Sequence, residues 1–435
     1  DISNPTFQID LQEPMKVEKL TANFPTIDGF KRDGDFIFVT AKKKFKKGEK
    51  YTFDIDYSGN PRIAKHAPWE GGWVFAKDEQ GNPWITVAQE GDGTSLWLPS
   101  KDIWNDEPDN GVEMKIITSK DLTGVGNGKL ISKTTENDKN IFVWEVKNPI
   151  NLYSLAPVIG KFAHFSEVFD GEKGKLNCDY YVLDYNLEKA KVQFQQVKSM
   201  LKSFEYWFGP YPFYEDGYKL VETPHLGMEH QSNVAYGNHY LNGYLGRDLS
   251  GTGIGLEWDF IIIHESGHEW FANNITAKDQ ADMWIHESFT NYSETLYTES
   301  LLGKEKAQKY VIGTRRGIKN DIPIIGKYGV RNEGSGDMYP KGGNMIHTIR
   351  TVINNDEKFR QILRGLNKDF YHQTVTTKQI EDYISSKSGI NFSKVFDQYL
   401  RTTQIPTLEY SQDGNTFKYR WTNTVEGFDL PIRIN

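Results

Sequence analysis

The chain has 435 residues, enough for about three domains and a large buried core, and its 51 Lys and Arg against 59 Asp and Glu leave a net charge of −8. That acidic balance argues against a nucleic-acid-binding protein. No apolar run, Phe260-Ile261-Ile262-Ile263 included, approaches the roughly 18 residues of a membrane span, and the single cysteine, Cys178, excludes an internal disulfide framework.

Residues 1–183 read as an N-terminal antiparallel β domain. Tyr51, Phe53, Ile55 and Tyr57 alternate with polar residues at the period of a half-buried strand. Phe36-Ile37-Phe38-Val39, the Val112/Met114/Ile116 alternation, and residues 141–146 and 180–183 give further strands. Asp33-Gly34-Asp35 marks a tight turn, and Gly91, Gly93, Gly126 and Gly128 mark loops. The charge run from Lys42 to Lys47 reads as a solvated hairpin. Residues 184–404 read as mostly helical. Val197, Leu201, Phe204 and Phe208 fall at helical spacing within 186–208, and Gly209-Pro210 stops that run. Thr376 with Gln379 fits a capping box opening a helix to about Ser386, Gly389 ends it, and another begins near Asn391. Residues 405–435 form a short C-terminal β segment. Leu408/Tyr410 and Phe417/Tyr419/Trp421 flank Asp413-Gly414, a hairpin signal, and Leu430-Pro431-Ile432-Arg433-Ile434 reads as a closing strand.

The expectation is an α+β multidomain protein. One or two hairpins cannot bury a core, so part of a further β domain is expected beyond residue 435, and further strands before residue 1. The first thirty residues lack a signal-peptide pattern and the chain starts at Asp1. This leaves export with a trimmed leader and a cytoplasmic site both open.

Six of the ten histidines (His225, His230, His239, His264, His268 and His286) fall between positions 225 and 286. Among them, His264-Glu265-Ser266-Gly267-His268 is an H-E-x-x-H motif, which this composition produces by chance at a rate of about 3% at most. Residues i and i+4 of a helix lie one above the other, so two imidazoles can hold one ion at about 2.0–2.1 Å. Glu265 points about 100° round the helix, near enough to reach the metal's water. Neutral imidazole and carboxylate suit Zn²⁺. The competing reading is a surface helix with two satisfied histidines. Ser266-Gly267 counts against it, because Gly inside a helix costs about 1 kcal/mol and reflects close packing. A catalytic zinc needs a third protein ligand and an open position. Glu287 follows His268 after eighteen intervening residues and starts a second helix running to about Leu302. Glu294 shares its face at i+7, where a carboxylate can hydrogen-bond a ligand histidine. His225, His230, His239 and His286 read as structural or pocket-lining, and Trp258 and Trp270 as core.

With this spacing the chain resembles the gluzincin aminopeptidases, the family of aminopeptidase N and the leukotriene hydrolases. Three more segments carry the resemblance. Trp207-Phe208-Gly209-Pro210-Tyr211-Pro212 looks like the family's helix end before the catalytic sheet. Leu226-Gly227-Met228-Glu229-His230 resembles the G-x-M-E-N exopeptidase motif. Asp337-Met338-Tyr339-Pro340-Lys341-Gly342-Gly343 resembles the Y-E-K-G motif of the catalytic tyrosine. Order and spacing hold from about residue 85 to 405. His230 stands in place of the usual Asn, Leu226 in place of the first Gly, and Pro340 in place of Glu.

The resemblance implies a thermolysin-like catalytic domain over 184–404 with one Zn²⁺ held by His264, His268 and Glu287. It implies Glu265 as general base on a zinc-bound water, Tyr339 as donor to the oxyanion, and Glu294 behind the ligands. Glu229 would pair with the substrate's free α-ammonium, in a strand whose Gly227, Met228 and His230 bind substrate. A Gln or Glu of the β domain also grips that amine; the matching position is Glu90, with Gln89 its neighbour. The implied substrates are peptides with a free N-terminus. Three alternatives stay in view: a zinc endopeptidase, an added epoxide-hydrolase activity, and a non-catalytic peptide-binding module with a structural zinc. Glu229 argues against an endopeptidase, since a carboxylate facing an internal peptide bond lacks a cation. The presence of both Glu265 and Tyr339 argues against a module released from catalysis. Side-chain preference and oligomeric state are open.

Overall fold

The structure is a computed structural model that describes residues 2–434. Its first part is built of antiparallel ribbons, because short apolar–polar alternations bury one face of each. Phe36–Ala41 lies between Thr6–Asp10 and Thr26–Asp33, with Ile37, Val39 and Ala41 fully buried. Lys16–Ala22 pairs with Phe53–Ser58. A four-stranded sheet runs in the order Thr123–Val125, Val158–Gly160, Pro83–Ala88, Gly72–Lys77, and a three-stranded one in the order Val112–Ser119, Lys139–Val146, Lys129–Glu136.

The next sheet crosses the expected boundary at residue 183. It runs Phe162–Gly171, Gly174–Leu183, Tyr218–Glu222, Val234–Tyr236, Gly227–Met228, so the last hairpin of the β part shares a sheet with strands of the helical part. Gly174–Leu183 pairs parallel with Tyr218–Glu222. The reason lies in its inward face. Leu176, Cys178, Tyr180 and Val182 are buried in the same core as Val197, Leu201, Phe204 and Phe208 of the Gln196–Phe208 helix. Gly227–Met228 forms the sheet's edge and is antiparallel to Val234–Tyr236.

The helical run expected from 186 to 208 is broken at Phe194-Gln195 into Leu187–Gln193 and Gln196–Phe208. The break lets both Gln193 and Gln196 reach Asp259, by side chain to side chain at 2.8 Å and from the Asp259 backbone N–H to Gln196 at 2.8 Å. Gly209 ends the second piece at φ 97, a conformation that disfavours a side chain. Trp284–Leu302 runs through the middle of the core and begins three residues before Glu287, so Glu287 lies in its first turn. The Thr376/Gln379 capping box opens Thr377–Ser388, Gly389 closes it in the left-handed region, and Ser393–Arg401 follows.

The C-terminal hairpin pairs Thr407–Asp413 with Thr416–Thr422. The strand expected at 430–434 does not form. The chain there instead packs Phe428 and Leu430 against the helical core, and the Leu430 carbonyl accepts the Trp421 indole N–H at 2.9 Å. Pro431 has no N–H to offer a ladder.

Candidate metal centre and active site

The helix that carries the H-E-x-x-H motif, Phe260–Gly267, is eight residues long and wholly buried. A helix so short needs its end satisfied. Asp259 does this by accepting the N–H groups of Ile261 and Ile262, while Tyr236 and Asn238 donate to the same carboxylate at 2.7 and 2.8 Å. Gly267 is required by packing, since a Cβ there would lie 2.6 Å from Ser293 Oγ on the Trp284–Leu302 helix. The two helices therefore run in contact, and His264, His268 and Glu287 converge.

His264 Nε2 and His268 Nε2 each lie 3.4 Å from Glu287 Oε2. Two donors about 2.0–2.1 Å from one tetrahedral ion are separated by about 3.4 Å, so this spacing fits a single Zn²⁺. The other ring nitrogens are committed. His264 Nδ1 meets Glu294 Oε1 at 2.8 Å, and His268 Nδ1 meets the Phe271 carbonyl at 3.0 Å. A proton on each Nδ1 leaves both Nε2 lone pairs facing Glu287, the tautomer a metal needs. Glu287 Oε2 is buried and has no hydrogen-bond donor. Burial opposes its charge, but the two imidazoles outweigh that and hold its carboxyl well below the usual range. Glu294 is itself fixed by Tyr310 Oη at 2.6 Å and Asn291 Nδ2 at 3.2 Å. The donor set, its orphaned oxygen and its oriented histidines fit the ion.

His264, His268 and Glu287 open onto a cleft of about 570 Å³, lined also by Glu90, Gly227, Met228, Glu229, Glu265, Glu333 and Tyr339. Burial, with Glu229 adding to it and His264 and His268 opposing, raises Glu265 to about 7, the range suited to taking and returning a proton near neutrality. Gly227 is where the edge strand passes Glu265. A Cβ at that position would lie 2.8 Å from Glu265 Oε1 and 2.9 Å from Ile261 Cγ2. Gly227→Ala is therefore expected to keep its zinc while losing turnover by about 10²-fold, through displacement of the carboxylate; steady-state assays with metal analysis check this.

Carboxylate oxygens of Glu90, Glu229 and Glu287 lie within 4.8 Å of one another. Burial first, then Glu229 and Glu287, raises Glu90 well above the ordinary glutamate value. Such a group of acids calls for a cation. Tyr339 caps the Pro340–Ile353 helix, with its ring centroid 6.0 Å from that of His264. Pro340, at the first position of that helix, is pre-set for helical φ.

Two expected substrate residues stand elsewhere. Gln89 is fully buried and spends its amide on the carbonyls of Leu152, Tyr153 and Leu155, outside the cleft lining. His230 is fully buried, pushed down to about 3 by desolvation, and is not among the cleft-lining residues. His286 accepts the Ala277 N–H at 2.8 Å, and Trp258 and Trp270 are core. The sequence reading missed Asp259, although an acid directly before an apolar run is a capping signal. It also missed Tyr153, whose hydroxyl donates to Glu229 Oε1 at 3.1 Å and which carries no local signal.

Fold and site together resemble those of the zinc metallopeptidases found by comparison. Residues 192–399 match the Peptidase family M1 domain. Among curated relatives, tricorn protease-interacting factor F2 of Thermoplasma volcanium is 22% identical over 319 residues, covering 70% of this chain and 39% of that protein. Leukotriene A-4 hydrolase of Xenopus laevis is 22% identical over 330 residues, covering 70% of this chain and 51% of that protein. The chain thus spans about half or less of the length of these relatives. Among solved structures, an M1 zinc metallopeptidase from Deinococcus radiodurans bound to a Tyr-Ser-Ala substrate shares the fold with a TM-score of 0.76 at 19% identity, over 92% of this chain and 87% of that one. Legionella pneumophila aminopeptidase A gives 0.74 at 16% identity, over 97% of this chain and 49% of that one. No helix among the described residues is long and apolar enough to cross a membrane.

Proposed function

We propose that the chain is a zinc-dependent aminopeptidase that hydrolyses the first peptide bond of peptides with a free N-terminus. The observation that carries this reading is the grouping, in one cleft, of a three-donor metal set with a carboxylate pair, Glu90 and Glu229, neither of which forms a salt bridge with a Lys or Arg among the described residues. His264, His268 and Glu287 would hold Zn²⁺, which when bound would supply Lewis acidity at the scissile carbonyl and acidify water. Glu265 takes the proton of the attacking water and returns it to the leaving amine. The Tyr339 hydroxyl donates to the oxyanion that forms at the carbonyl carbon. Burial, with Glu287 and Glu90 adding to it, raises that hydroxyl's pKa well above the ordinary tyrosine value, so it stays a donor. Glu90 and Glu229 hold the α-ammonium, and the Gly227–Met228 edge offers backbone to an extended substrate.

The M1 enzyme of Deinococcus radiodurans binds a tripeptide, a ligand of the class proposed here. An endopeptidase is disfavoured because an internal peptide segment brings no charge to Glu90 and Glu229, whose burial would go uncompensated. The test compares an aminoacyl anilide with its N-acetylated twin on zinc-loaded protein. The free amine is expected to be cleaved at least about 10²-fold faster in kcat/KM, because the acetylated amine leaves two buried acids unpaired. Equal rates would point to an endopeptidase, and no cleavage of either by a zinc-replete sample would point to a binding module.

A further inference from the structure

Glu229 is held from outside its own strand. Tyr153 Oη donates to Glu229 Oε1 at 3.1 Å, and the two residues are only 2% and 3% exposed. Tyr153 sits on a single helical turn, Leu152–Ser154, of the β part of the chain. That turn is tied down from two directions. From below, Gln89 Nε2 donates to the carbonyls of Leu152, Tyr153 and Leu155 at 3.3, 3.1 and 2.9 Å, while its Oε1 accepts the Trp97 indole N–H. From the side of Glu229, the Asn127 amide bridges the carbonyls of Ser154 and Gln231, at 2.7 Å each. Asn273 closes the loop by donating to the Glu229 carbonyl at 2.9 Å.

We infer that Tyr153 is a positioning residue for Glu229, and that Gln89 acts through Tyr153 by fixing the turn that carries it. This rests on the reading of Glu229 as the anchor of the substrate α-ammonium. The chemistry of the donor is the point. A Lys or Arg at this place would fix the carboxylate but compete with the substrate's ammonium for its charge. A hydroxyl occupies one oxygen, sets the rotamer and leaves the full negative charge for the incoming amine. Glu229 also has carboxylate oxygens of Glu90 and Glu287 within 4.8 Å, so a fixed hydroxyl donor helps to keep its carboxylate in a single place. Burial, with Glu229 and Glu90 adding to it, raises the Tyr153 hydroxyl well above its ordinary value and keeps it a donor. Trp104 packs on the ring with centroids 5.2 Å apart, so the side chain has little room to swing.

The test uses the zinc-loaded chain, an alanyl anilide and its N-acetylated twin, with Tyr153→Phe, Gln89→Met, the double variant and Glu229→Gln. Tyr153→Phe removes one hydroxyl and keeps the ring. It is expected to raise KM for the free anilide about tenfold, to change kcat by less than about threefold, and to keep the zinc. The preference for the free over the acetylated substrate narrows by the same factor. Gln89→Met moves KM in the same direction, and the double variant is no worse than Tyr153→Phe alone, because both act along one path. If Gln89→Met does not fold, the Tyr153→Phe arm decides. The inference is overturned if Tyr153→Phe leaves KM within about twofold of the wild type while Glu229→Gln abolishes the preference. It is equally overturned if Tyr153→Phe loses zinc and lowers kcat as much as it raises KM, the mark of a merely structural residue. If Glu229→Gln itself leaves the preference intact, the underlying reading of Glu229 fails instead.

Discussion

Glu265→Ala is expected to keep zinc bound and to lower kcat by about 10²–10⁴-fold, the contribution of a placed general base. Glu265 follows His264 in sequence but is not part of the His264, His268 and Glu287 group. His264 Nε2 and His268 Nε2 each lie 3.4 Å from Glu287 Oε2, contacts in which Glu265 takes no part. Both histidines are oriented from behind, by Glu294 and by the Phe271 carbonyl, so their positions do not depend on Glu265. Removing it also leaves the Asp259 cap intact, so the helix keeps its start. Zinc content and turnover measured on the same preparation separate the two effects. Near-normal rates in Glu265→Ala would assign proton transfer to another group.

Tyr339→Phe is expected to cost about 10²–10³ in kcat with little change in KM, because the donor acts on charge that exists only in the transition state. The position of Tyr339 is set by unusually close packing behind it. Cβ atoms added at Gly342 and Gly343 would lie 1.9 Å from Ser288 Oγ and 2.2 Å from Asn291 Oδ1, so the Pro340–Ile353 helix presses directly on the helix that carries Glu287. Ser288 Oγ also donates to the Met338 carbonyl at 2.7 Å, immediately before Tyr339. Tyr339 is thus braced against the helix that carries both Glu287 and Glu294, and the phenyl ring of the variant keeps its packing. A fall in kcat/KM through KM alone would place Tyr339 in substrate binding and not in catalysis.

What was legible in the sequence follows from how local each cause is. The His264/His268 pair is written in an i, i+4 spacing, and the capping box at Thr376 in an i, i+3 spacing, so both could be read directly. The Trp284–Leu302 helix was placed by Glu287 and Glu294 on one face, but its start was set by the buried Trp284, which periodicity does not reveal. The boundary at 183 was misleading because the cover of the Gly174–Leu183 strand is a helix that follows it in sequence. Leu430 to Ile434 has strand-like alternation, yet its fate was decided by a tertiary contact with Trp421. Counting pointed to Glu90 with Gln89 as its neighbour, and Glu90 is the one of the two that lines the cleft. Tyr153 was invisible for a simpler reason: its partner Glu229 lies 76 positions away. Glycines, by contrast, were informative. The reading of Gly267 as a close-packing residue agrees with its contact to Ser293.

The most direct measurement is the zinc content per chain of the wild type and of Glu287→Ala after exhaustive dialysis, read beside anilide turnover. A site made of two imidazoles and one carboxylate predicts one zinc per wild-type chain and, in the variant, loss of the metal together with turnover. Zinc retained by Glu287→Ala at wild-type stoichiometry, or turnover that survives removal of the metal, would contradict it.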